Sequence, residues 1–272
     1  MRIFLLLSLS TALFAHTPQA PDELLRNGFD NMYNLAFPAA HRSFEDWQKL
    51  HPTDPRGPVF DAAAYLFSEF DRLRILQSEF FLDDDNFFSH QPRLVPDPQV
   101  RRNFDTALSR AKQLADSIMA KSPNDENALF ASVLRLGLQA DYTALIDKRN
   151  FAALAQVKEA RQTAQKLLAL YPDCYDAHLA NGVENYLLSQ KPAPVRWLLH
   201  FGGAQTDKDA GVADLKIVAD KGQYLQPYAQ LLLAVAALRD KDDAGARRLL
   251  SDLARRFGRN PLYREELAKI GG

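Results

Sequence analysis

Beyond Pro21, apolar residues recur at steps of three and four almost without interruption, and alternating runs of β-branched residues are nearly absent. Such steps line one stripe of an α-helix, whereas a half-buried strand needs a step of two. The pattern predicts helices over about 22–35, 38–50, 58–82, 98–121, 125–140, 150–170, 174–190, 193–201, 208–221, 225–239, 242–257 and 261–269. Pro52, Pro55, Pro123, Pro172 and Pro261 punctuate the pattern. Each lacks the amide hydrogen of a continuing helix and restricts the residue before it. Asp22, Asn124, Asp173 and Asp207 stand where an N-cap side chain accepts the first free amide hydrogens of the next helix. Short connections make successive helices antiparallel neighbours. The expected fold class is all-α, an α-solenoid of antiparallel helix hairpins with irregular repeats.

The first pair carries the clearest repeat spacing. Gly28, Ala40, Phe44 and Pro52 follow the tetratricopeptide pattern, in which small residues let two helices approach, an aromatic fills the seam and proline closes the second helix. Weaker echoes occur at Ala111, Ala115 and Pro123, at Ala160, Ala164 and Pro172, and at Leu249, Leu253 and Pro261. The prolines are unequally spaced, so long helices and insertions must interrupt the array. One insertion is Asp83 to Pro98; another surrounds Pro192 to Thr206 and carries Trp197 and Gly202-Gly203. Loops of that length in a compact domain are more often functional than merely connecting.

A second set of residues carries a family resemblance. Tyr171-Pro172-Asp173-Cys174-Tyr175-Asp176-Ala177-His178-Leu179-Ala180-Asn181-Gly182, with Tyr186, is similar to a motif of exported or envelope-associated bacterial tetratricopeptide-repeat proteins. Asp207, Gly211, Leu215 and Gly222 fit the same group, as do Ala246, Leu250, Phe257, Asn260 and Pro261. Tyr33 to Phe37, Trp47 and Pro52 resemble its first repeat, while Glu184 replaces a second aromatic. The resemblance implies a helical-repeat protein that holds other macromolecules together, with no reaction attached.

The first residues narrow the location. Met1-Arg2 followed by the apolar run Ile3 to Phe14 has the charged start and short apolar segment of a secretory signal, expected to be cleaved after Ala15 or as late as about residue 20. The domain reading is a signal over 1–15, an N-terminal helical module over 21–98 and a helical array over 99–272. Export to the periplasm or another envelope-side location follows. No later run is long and apolar enough for a transmembrane segment. The single cysteine, Cys174, excludes an intramolecular disulfide. With 33 Lys+Arg against 34 Asp+Glu, the chain has no global basic excess to favour nucleic acid or anionic membrane.

The residue types of catalytic and metal sites occur in the chain without the spacing those sites need. His41 and Glu45 share a helix face, yet no third ligand accompanies them, and pairing of His41 with an acid is the expected role. Asp83-Asp84-Asp85-Asn86 starts like a calcium loop, but Phe87 and Phe88 take the places of an oxygen ligand and the turn glycine. Cys174 near a helix start reads as a small buried residue in a seam. Gly202-Gly203 lacks the Gly-Lys-Ser or Gly-Lys-Thr triplet of a phosphate loop. No catalytic residue, metal or cofactor is expected.

Two features are left to carry function. Asn181, Glu184, Asn185 and Tyr186 lie within two helical turns beside the insertion bearing Trp197 and His200, where a repeat array would present contacts to a peptide or partner protein. The helix expected over 58–82 is apolar nearly all round but carries Glu69, Asp71, Arg72 and Arg74. Buried charges must pair or open into a cavity. The favoured expectation is a non-catalytic adaptor for a protein or peptide. The alternatives are a small-ligand protein or enzyme using the charged pocket, and a purely structural subunit.

Overall fold

Eleven α-helices form among the described residues of the computed structural model, which are 23–77, 94–189 and 207–270. They are α1 (Glu23–Tyr33), α2 (Phe37–Leu50), α3 (Arg56–Arg72), α4 (Pro98–Met119), α5 (Glu126–Asp141), α6 (Asn150–Leu170), α7 (His178–Ser189), α8 (Lys208–Lys221), α9 (Gln226–Arg239), α10 (Asp243–Arg256) and α11 (Leu262–Ile270). The signal segment expected within 1–20, Asp83–Asn86 and the helix expected over 193–201 lie outside the described residues.

The helix expected to run to 82 ends at Arg72. Arg74 takes a left-handed φ of 57°, and the Ile75 amide donates back to the Phe70 carbonyl at 2.8 Å while the Arg74 amide donates to the Asp71 carbonyl at 3.0 Å. This closing pattern satisfies carbonyls that a helix end leaves free, and apolar periodicity carries no trace of it. The helix expected from 174 likewise begins as a 3-10 turn, Tyr175–Ala177, before α7. Asp207 caps α8 as expected, accepting the Ala210 amide at 3.0 Å. At α5 the cap is Asp125 rather than Asn124, accepting the Ala128 amide at 2.9 Å, and Asp173 instead accepts the Tyr175 hydroxyl at 2.9 Å.

Successive helices pack on one another along the whole array: α1 on α2, α2 on α3, α3 on α4, and so on to α10 on α11. The architecture is all-α, with sequential hairpin contacts of a helical-repeat, solenoid-like arrangement. In the first pair Ala40 and Phe44 are wholly buried, and a methyl placed on Gly28 would collide with the Phe44 ring. At the crossing of α7 and α8, a methyl on Gly211 would stand 2.6 Å from the Tyr186 backbone nitrogen and 3.0 Å from the Gly182 carbonyl oxygen. Only a residue without Cβ permits backbones that close.

The two ends of the array meet. The Tyr33 hydroxyl, at the end of α1, donates to the Tyr224 carbonyl at 3.0 Å, before α9. The Asn260 side-chain amide, in the turn between α10 and α11, donates to the Tyr33 carbonyl at 2.9 Å. The Arg259 guanidinium adds a bond to Asn31 Oδ1 at 3.2 Å, and the Tyr33 and Phe257 rings lie 5.4 Å apart. Across the middle, Phe60 of α3 packs on Tyr224 with ring centroids at 4.9 Å, and Phe67 on Tyr228 of α9 at 5.2 Å. One apolar cluster accordingly runs from Leu25 to Tyr263.

Candidate functional site

Closing the array leaves unfilled space at its centre. A partly open cavity is walled by Phe29, Met32 and Tyr33 of α1, by Phe60, Ala63 and Phe67 of α3, and by residues of α5, α6, α7 and α9. The odd-numbered helices from α1 to α9 therefore supply most of the wall, as the inner helices of a repeat array do.

Gly137 opens the wall on the α5 side. A Cβ built there meets no atom within 4 Å, unlike the tightly contacted glycines at 28 and 211. One turn further along α5, Asp141 brings a carboxyl to the same wall. It has no hydrogen bond or ion pair among the described residues, and burial alone pushes it up to about 7. Its charge in turn contributes, after burial, to raising the Tyr228 phenol across the cavity.

The other acid in the wall, Asp176, is already engaged. Its carboxylate accepts the amides of Gln223, Tyr224 and Leu225 at 3.1, 3.0 and 3.1 Å, fastening the start of α7 to the turn before α9. Burial pushes this carboxyl up against the opposing pull of those three amides. No Lys, Arg or His lines the cavity among the described residues. A more polar pocket shares Asp176 and adjoins Arg56, Glu126, Asp173 and Cys174. The Cys174 thiol is pushed up to about 12 by burial first and then by Asp176 and Glu126, which keeps it protonated at neutral pH.

The residues singled out in the sequence fall elsewhere. Glu69 is only 1% exposed; the Arg72 guanidinium donates to both its carboxylate oxygens at 2.9 and 2.6 Å, and the Asp97 amide donates to it at 2.8 Å. Arg72 also donates to the Val95 carbonyl at 2.6 Å, so the pair fastens the chain before α4 onto α3. Asp71 is half-buried and Arg74 exposed. Among the described residues, Glu69 and Arg72 are joined to each other and to the chain before α4. Glu184 is 2% exposed and forms an ion pair with Arg161 of α6 at 2.7 Å. Asn185 is buried where α7 meets Gly211, and Tyr186 is buried with Leu215 and Leu232. A peptide reaching Glu184, Asn185 or Tyr186 would have to displace what covers them. Asn181 is partly buried, and Trp197 and His200 lie outside the described residues. His41 pairs through Nδ1 with Asp61 at 2.5 Å rather than with Glu45.

No family model, curated protein or solved structure matches the chain.

The cavity residues Gly137, Asp141 and Tyr228 escaped sequence reading. A faint signal was present: Leu134, Gly137, Leu138 and Asp141 share one helical stripe, placing a glycine and an acid where two apolar side chains are expected. Among the described residues no helix is long and apolar enough to cross a membrane.

Proposed function

We propose that the protein is an exported, non-catalytic binding protein of the tetratricopeptide-repeat type, whose closed inner face holds the apolar part of a small ligand. The observation that carries this reading is the central cavity, walled by aromatic and aliphatic side chains and left open by Gly137. Binding rather than reaction is favoured because Asp176 is committed to three amides and, among the described residues lining the cavity, Asp141 has no uncommitted second carboxyl, histidine, lysine or cysteine beside it. An extended peptide along an open groove is less well supported, because the inner face is closed by the Tyr33–Tyr224 and Tyr33–Asn260 bonds.

The test uses the uncharged apolar fluorophore N-phenyl-1-naphthylamine and the full chain. The expected result is a saturable fluorescence increase at one probe per protein, abolished by Gly137→Leu. That substitution directs a side chain into open space and replaces a poor helix former by a good one, so the variant folds at least as stably. Absence of saturable binding, or binding that survives Gly137→Leu, overturns the proposal.

A further inference from the structure

The cavity has a chemical polarity as well as a volume. We infer that its ligand is an amphiphile whose apolar chain fills the space between α1, α3, α5 and α9 and whose cationic nitrogen pairs with the Asp141 carboxylate. This rests on the binding role proposed above and adds the charge of the ligand.

An anionic headgroup would enter a wall that holds two carboxyls and, among the described residues, no basic side chain. It would find repulsion without a compensating partner, at a cost that low-dielectric surroundings enlarge. A neutral hydroxyl would leave an ionised Asp141 without a counter-charge. A cation supplies what the wall lacks, and it is also favoured by the rings of Phe29, Tyr33, Phe60, Phe67 and Tyr228, whose faces attract positive charge. Asp176 does not compete for it, because its oxygens are filled by Gln223, Tyr224 and Leu225. The Tyr33 hydroxyl is spent on the Tyr224 carbonyl, which leaves Tyr228 as the nearby phenol whose oxygen can accept a second bond from an ammonium group.

Three ligands of matched chain length separate the possibilities: decylamine, 1-decanol and decanoate, each displacing N-phenyl-1-naphthylamine at pH 8 and below its micelle-forming concentration. The amine is expected to displace the probe at about 10-fold lower concentration than the alcohol, a surplus consistent with an ion pair whose desolvation offsets much of its attraction. Decanoate is expected to be the weakest. In Asp141→Asn the amine and the alcohol should fall within about twofold of each other, because the remaining interaction is apolar contact. Equal displacement by amine and alcohol in the wild-type protein overturns the charge assignment and leaves the cavity role standing, and that comparison needs no variant. An amine preference that persists in Asp141→Asn also overturns it. Failure of the fluorophore and all three chains to bind overturns both this inference and the binding role beneath it.

Discussion

Replacing Asp141 by Asn should make the protein more stable in mildly alkaline solution and leave it nearly unchanged in mildly acidic solution. Burial pushes the carboxyl up to about 7 in the fold, against 3.8 for an ordinary aspartate. Between those values the folded chain holds a proton that the unfolded chain has released, so stability declines as pH rises, by about 1.4 kcal/mol per pH unit. The full contribution is present below pH 4 and is lost by the time pH has passed 7, an upper bound of about 4 kcal/mol. An amide in the same apolar wall has its own burial cost of about 1–2 kcal/mol, so the net gain of Asp141→Asn at pH 8 is about 2 kcal/mol. Urea unfolding followed by helical circular dichroism, at pH 5 and at pH 8, measures the difference. The variant keeps Asp176, Tyr33 and Tyr228, the other titratable groups lining the cavity among the described residues, so subtracting wild type from variant isolates Asp141. A difference in stability that does not grow between the two pH values would refute the claim that burial in this apolar wall, without a cation beside it, raises the carboxyl.

Asp176→Ala strips three amides of their acceptor and should lower stability by about 3–5 kcal/mol in the same urea assay, since each buried unsatisfied donor costs about 1–3 kcal/mol and the turn relaxes in part. A loss under 1 kcal/mol would mean that the turn before α9 finds other partners. Gly211→Ala should cost about 1–3 kcal/mol, because the methyl meets the Tyr186 backbone and α8 must move away from α7. An unchanged midpoint would show that the crossing is looser than described.

The helices were legible because their cause is local. Apolar stripes, prolines and capping aspartates act over a few residues, so α6 runs from Asn150 to Leu170 and α8 from Lys208 to Lys221 as the pattern predicts. The close seam at Gly28, Ala40 and Phe44 was legible too, since its spacing belongs to one hairpin. What escaped is contact between distant parts of the chain. Tyr33 and Asn260 stand 227 positions apart, and neither carries a mark of the other in the sequence. Glu184 reads as a polar group available for binding until Arg161, one helix earlier, is seen to neutralise it. Asp141 is the converse case: an acid on an apolar stripe ordinarily signals an ion pair, and this one faces open space instead.

The junction of Tyr33 with Tyr224 and Asn260 also bears on how such a chain can change over generations. Open repeat arrays grow or shrink by duplicating or deleting a unit, because each unit touches its neighbours alone. Here an added hairpin would push the last turn away from the first helix, and a lost one would leave Tyr33 without either acceptor or donor. The circumference is set by a latch, so descendants of this protein are free to vary its lining and its loops while the number of hairpins stays fixed.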